Sequence, residues 1–154
     1  MMKITVLGLG NLLYGDEGFG CTVARRLQET TDYPDDVEIV DGGTQGLYLL
    51  DYIEAADGLI LVDAVIPLEA GFRIHRYDND IPALIQKKMS SHQTGLTELL
   101  ALARLHNRYP RELVLIGIPP KNLDMGIGLS PEVEALVPDV LAMIRDQIQA
   151  WLTP

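Results

Sequence analysis

Three stretches of the chain are apolar almost throughout and are bounded by turn-forming residues. They read ITVLGLG, LILVDAV and LVLIGI. Strands that are covered on both faces of a sheet have this composition, because neither face meets water. With two further stretches, the predicted strands cover residues 3–9, 37–41, 58–65, 72–77 and 112–118. The fourth of them, FRIHRY, alternates and carries charge, which favours a place at the edge of the sheet.

Apolar positions with helical spacing lie between the predicted strands. Two such groups are Phe19, Val23 and Leu27, and Leu96, Leu99, Leu100 and Ala103. A long final helix is predicted over residues 131–152, with Ser130 placed to cap it and Pro131 in its first turn. Because strands and helices alternate, we expect an α/β fold, with a mostly parallel sheet covered by helices on both faces. We expect residues 1–154 to form a single domain, since no repeat or linker interrupts the pattern.

Composition excludes several classes of protein. The chain has 154 residues and no uninterrupted apolar stretch of the length that a membrane span needs, and its start lacks the features of a signal peptide. A single cysteine, Cys21, rules out an internal disulfide and fits a reducing compartment, so we expect a cytoplasmic protein that does not bind membranes. The formal net charge of −10 argues against nucleic-acid binding, which depends on Lys and Arg.

The glycine-rich segment GLGNLLYGDEGFG, residues 8–20, lies where a nucleotide-binding protein has its phosphate loop. It fails the dinucleotide pattern, because Leu13 stands where the third glycine belongs. It fails the mononucleotide pattern as well, because Asp16 and Glu17 replace the lysine and the hydroxyl residue. A pair of carboxylates would repel a phosphate, so the segment is better suited to a cation.

Sites in parallel sheets gather beyond the carboxyl ends of the strands, which here means residues 10–18, 42–46, 63–68 and 119–128. Glu17 or Asp16 lies in the first of these segments, Asp63 closes the third predicted strand, and His92 precedes a predicted helix. Each has a plain alternative: favourable charge at a helix N-terminus, a turn aspartate and a surface histidine. Together, two oxygen donors and one nitrogen donor form a ligand set that leaves coordination positions open on a metal.

Five motifs in order along the chain carry a resemblance to a known family: VLGLGNLLYGDEGFG, VEIVDGGTQGLYLLD, LILVDAV, SSHQTGL and LIGIPPKNLDMGIGLSPEVEA. The chain resembles the endopeptidases that mature nickel–iron hydrogenases by removing a C-terminal extension from the large subunit. The resemblance implies a three-layer α/β/α sandwich around a five-stranded mixed sheet, with FRIHRY as the candidate antiparallel strand. It also implies that Glu17, Asp63 and His92 are the metal-binding and catalytic residues.

The resemblance further implies that the metal is nickel supplied by the substrate and not permanently bound to the enzyme. The expected partner is the nickel-loaded precursor of the hydrogenase large subunit. Nickel could then polarise the scissile carbonyl or activate a water, and both routes stay open. Asp41, Gly42 and Thr44 follow the second strand and are possible substrate contacts.

The sequence also offers a second catalytic candidate and two alternative functions. Cys21 is a possible nucleophile, but no motif supplies a base to activate it, and we expect it to be a packing residue. The alternatives to a peptidase are a non-catalytic nickel carrier and a nucleotide-binding α/β domain. The chain lacks the cysteines or the histidine cluster that a nickel carrier would favour.

Overall fold

A five-stranded sheet forms the centre of the molecule. The computed structural model describes residues 2–30, 32–44, 46–79 and 95–153. The strands are β1 (Ile4–Leu9), β2 (Val37–Gly43), β3 (Gly58–Ala64), β4 (His75–Asp78) and β5 (Glu112–Ile118), in the spatial order β2-β1-β3-β5-β4. The first three pairings are parallel and β4 runs antiparallel to β5. The expected mixed, mostly parallel sheet with an antiparallel edge strand is therefore confirmed.

Helices cover both faces of the sheet. They are α1 (Phe19–Thr30), α2 (Leu49–Ala55), α3 (Leu96–Leu105), α4 (Pro131–Glu134) and α5 (Val137–Leu152), with short 3-10 helices at Gly15–Gly18 and Gly46–Tyr48. One core cluster joins the sheet to α1, α4 and α5, and the other joins it to α2 and α3. This is the expected three-layer α/β/α arrangement. Among the helices described, none has the length and apolar character needed to cross a bilayer.

The apolar strands alternate between two kinds of side chain. Toward α1 and α5 they present mostly β-branched residues, and toward α2 and α3 they present leucines. The first set includes Ile4, Val6, Ile60, Val62, Val114 and Ile116, and the second includes Leu7, Leu9, Leu59, Leu61, Leu113 and Leu115. Side chains along a strand point alternately to opposite faces, so an apparently uniform apolar run supplies two separate cores.

Strand β4 begins three residues later than the predicted segment 72–77. In the antiparallel register His75 lies opposite Gly117, so the residues before it would have to pair with Ile118, Pro119 and Pro120. Proline has no backbone N–H to donate, so the ladder cannot continue past the end of β5. The predicted strand start was wrong for this reason.

The predicted helix over residues 131–152 is two helices. Pro138 lies in the first turn of α5, where its missing N–H costs nothing, whereas inside a continuous helix its ring would clash with the carbonyl of Glu134. Ser130 lies at the start of α4, as predicted, but its side chain does not cap the helix. Its hydroxyl is used by a more distant partner, Asp16.

Two glycines bring α1 directly against the sheet. A Cβ on Gly20 would overlap the carbonyl oxygen of Val62 in β3, and a Cβ on Gly8 would overlap the carbonyl oxygen of Gly20. Only residues without a side chain permit this approach of helix to strand backbone. The start of α1 is thereby held at the carboxyl ends of β1 and β3.

Candidate functional site

Two of the predicted ligands are buried near the carboxyl ends of the parallel strands. Glu17 lies in the 3-10 turn between β1 and α1 and is 3% exposed, and Asp63 is near the end of β3 and fully buried. Gly20, three residues after Glu17, packs on the carbonyl of Val62, which precedes Asp63. The close packing of α1 on β3 thus places the two acidic segments side by side.

The backbone N–H and the backbone carbonyl of Glu17 are both hydrogen-bonded within the loop. Its N–H donates to the carbonyl of Tyr14 at 3.1 Å, and its carbonyl accepts from the N–H of Asn11 at 3.1 Å. Gly10 is required here, because its φ is +134° and a Cβ would overlap the Glu17 carbonyl oxygen. Gly10, one of the glycines that suggested a phosphate loop, thus allows the loop to fold tightly against Glu17.

Cys21 lies at the start of α1, against the loop that carries Glu17. The Cys21 thiol is buried and donates to the Gly10 carbonyl at 3.5 Å. The pKa of Cys21 is raised to about 12, and burial is the largest cause. A hydrogen bond to Asp41 and the negative charge of Asp41 raise it further, and the charge of Asp63 makes a smaller contribution. The thiol is therefore protonated at neutral pH.

The side chain of Asp16, the neighbour of Glu17, is hydrogen-bonded to the segment between β5 and α4. Its Oδ1 accepts from the Ser130 N–H at 2.7 Å, and its Oδ2 accepts from the Ser130 hydroxyl at 2.8 Å and from the N–H groups of Lys121 and Asn122 at 2.8 and 2.9 Å. Burial raises the pKa of Asp16, but these hydrogen bonds outweigh it and leave the pKa below the ordinary value. No local motif signals this role, because every partner lies more than 100 residues away.

The three possible substrate contacts differ in their surroundings: Asp41 and Gly42 lie in the last residues of β2, which is longer than predicted, and Thr44 follows it. Asp41 forms an ion pair with Arg25, whose Nε lies 2.6 Å from Oδ2. Gly42 is buried, and a Cβ there would press on Leu7 and Leu49 at 2.9 Å, so close packing accounts for the glycine. Thr44 is exposed. Their contact with a substrate stays a prediction.

The predicted third ligand, His92, falls in residues 80–94 and lies outside the described part of the chain. The two described histidines are engaged elsewhere: Nε2 of His75 donates to the Gly71 carbonyl at 2.9 Å, and Nδ1 of His106 lies 2.6 Å from Glu54 Oε2. Within the described residues no group of three His, Cys, Asp or Glu side chains is arranged to hold a metal ion. The role of His92 therefore stays a prediction.

Comparison with known proteins gives a consistent result. A family model described as hydrogenase maturation protease matches residues 21–147. The hydrogenase 2 maturation protease of Escherichia coli is 39% identical over 151 residues, covering 94% of this chain and 92% of that protein. The hydrogenase expression/formation protein HupD of Rhodobacter capsulatus is 41% identical, covering 97% and 72%. Among solved structures, the hydrogenase maturating endopeptidase HybD from E. coli superposes with a TM-score of 0.88 at 36% identity, covering 97% and 93%.

Proposed function

The chain belongs to the hydrogenase maturation protease family, and from that premise we propose that it removes the C-terminal extension of the large-subunit precursor of a nickel–iron hydrogenase after nickel has been inserted. As a member of this family the chain is a peptidase, and its substrate is a hydrogenase precursor. The observation that supports the finer proposal is that two acidic side chains, Glu17 and Asp63, are buried near the carboxyl ends of β1 and β3. Such a site favours a cation over an anion.

We assign the recognition of nickel to Glu17, Asp63 and His92. Two carboxylates and one imidazole bind nickel only moderately, whereas cysteine thiolates on the precursor would hold it better. The enzyme's ligands would then add to a nickel ion that the substrate already holds. A precursor without nickel would lack this contact, so cleavage would follow correct metal loading.

The hydrolytic step can be built from the same groups. Nickel in the substrate would act as a Lewis acid on the scissile carbonyl or on a water. Glu17 and Asp63, which lie near the carboxyl ends of β1 and β3, would supply carboxylate oxygens for orientation and proton transfer. His92 would supply the nitrogen donor.

The alternative functions account for less of the molecule. A nucleotide-binding domain would need a loop that attracts phosphate, whereas the loop after β1 encloses Asp16 and Glu17 and lies beside Asp63. A nickel carrier without catalytic activity disagrees with membership in a peptidase family.

The proposal is tested by incubating the purified chain with nickel-loaded precursor and following the mass of the large subunit. We expect the wild-type protein to shorten the precursor and the Glu17→Gln variant to fail, because the amide keeps the size but loses the charge that binds a divalent cation. Glu38→Gln is the matched control, since Glu38 is exposed on β2, and it should cleave normally. A precursor that stays at full length with the wild-type protein, or that is shortened equally by Glu17→Gln, would refute the proposal.

Cys21→Ala should leave cleavage intact. The protonated, buried thiol of Cys21 is a poor nucleophile, so the substitution removes only packing and a weak hydrogen bond. Loss of this small buried side chain should lower the free energy of unfolding by about 1 kcal/mol. The measurements are the cleavage rate and a denaturant unfolding curve. Lost cleavage by a folded variant would restore Cys21 as a candidate nucleophile.

A further inference from the structure

Asp16 connects two loops that are far apart in the sequence. Its carboxylate accepts four hydrogen bonds from the segment between β5 and α4, at 2.7 to 2.9 Å. Asp16 is fully buried, so these bonds are protected from competition with water. Charge-assisted hydrogen bonds of this kind are about twice as strong as neutral ones.

Backbone contacts strengthen the same connection. The Asp16 N–H donates to the Asn122 carbonyl at 2.8 Å, the Gly15 N–H donates to the Gly126 carbonyl at 2.9 Å, and the Gly126 N–H donates to the Leu13 carbonyl at 2.7 Å. The turn that carries Glu17 is thus joined on one side to the segment between β5 and α4. On its other side it continues into α1, which rests on β3.

We propose that Asp16 is a positioning residue for peptide cleavage: it fixes the turn that carries Glu17 by fastening it to the segment from Lys121 to Ser130. This inference rests on the proposed function, in which Glu17 binds the metal of the substrate. Reaction rates depend strongly on the placement of such groups, and an error of 1 Å can cost about 100-fold. Asp16 acts through Glu17 and does not itself touch the substrate.

The carboxylate is specifically required for this role. All four groups that face Asp16 are donors: three backbone N–H groups and one hydroxyl. An asparagine would keep one oxygen acceptor but would turn an NH₂ group toward at least one of those donors. Asparagine should therefore preserve some of the side-chain hydrogen bonds and alanine none of them, so the two substitutions form a graded series.

The experiment measures kcat and KM for cleavage of nickel-loaded precursor by the wild-type protein, Asp16→Asn and Asp16→Ala. We expect kcat to fall by about tenfold for Asn and about 100-fold for Ala, with KM changed by less than about threefold. Amide hydrogen exchange at Lys121, Asn122 and Ser130 should be faster in Asp16→Asn than in the wild-type protein, and faster still in Asp16→Ala. Asp57→Asn is the matched control, because the Asp57 carboxylate also accepts a backbone N–H, from Lys3 at 2.8 Å. Asp57 lies at the amino end of β3, away from Glu17, so the kcat of this variant should equal that of the wild-type protein.

The outcomes that would contradict the positioning role of Asp16 differ from the outcome that would contradict the proposed function. An unchanged kcat per folded molecule in Asp16→Ala, or a change confined to KM, would overturn the positioning role while leaving the proposed function in place. An equal loss in Asp16→Asn and Asp16→Ala without faster exchange in the segment would overturn it as well. If the wild-type protein does not cleave the precursor, the proposed function fails and this inference fails with it.

Discussion

Precursor that lacks nickel will resist cleavage, whereas enzyme treated with a chelator will still shorten nickel-loaded precursor. The proposed ligands Glu17, Asp63 and His92 bind nickel weakly on their own, so the purified enzyme should contain little metal. A metal acting as a Lewis acid contributes several kcal/mol to the transition state. Since about 1.4 kcal/mol corresponds to a factor of ten in rate, loss of nickel should slow cleavage by about 1000-fold or more.

The measurement combines elemental analysis of the enzyme with mass spectrometry of the precursor. Chelator must be removed before mixing, so that it cannot strip nickel from the substrate. A resident catalytic zinc would give the opposite result, with stoichiometric metal in the enzyme and inactivation by chelator. Efficient cleavage of nickel-free precursor at high enzyme concentration would contradict recognition of the substrate's metal.

Asp63→Asn should abolish cleavage or slow it by at least about 100-fold without unfolding the protein. Asparagine has nearly the same size as aspartate, so the fully buried site near the end of β3 keeps its packing. The charge that balances a divalent cation is lost. His92→Ala should have a similar effect, because it removes the only nitrogen donor of the proposed ligand set. The rate is followed by the mass of the large subunit.

Asp57→Asn is the control within the same part of the chain. Asp57 directly precedes β3 and its carboxylate accepts from the N–H of Lys3, so the same chemical change occurs at the other end of the strand. Normal cleavage by Asp57→Asn together with lost cleavage by Asp63→Asn would show that the loss of activity is specific to the carboxyl end of β3. Undiminished cleavage by Asp63→Asn would remove Asp63 from the proposed ligand set.

The arrangement of the sheet follows from local sequence patterns. Continuous apolar runs identify β1, β3 and β5 because both faces of these strands are covered, and the charged alternation of residues 72–77 identifies β4 as an edge strand. The break between α4 and α5 was missed, because the apolar spacing continues through it, although Pro138 marks the first turn of a new helix. The positions of Glu17 and Asp63 near the carboxyl ends of β1 and β3 follow from the alternation of strands and helices.

Contacts between distant segments are what the sequence by itself could not determine. Asp16 and Ser130 are separated by 114 residues, and nothing near either one in the chain indicates that the hydroxyl bonds to the carboxylate instead of capping α4. The start of β4 likewise depends on its register against β5, which places prolines opposite residues 72 and 73. Periodicity and motifs report on neighbours along the chain, and here they predicted the order of the strands in the chain, the helices α1 and α3, and the end of the sheet where Glu17 and Asp63 lie. Only the folded backbone brings donors and acceptors from separate loops within hydrogen-bonding distance, so the tertiary structure alone shows that the Asp16 carboxylate is bonded to Lys121, Asn122 and Ser130.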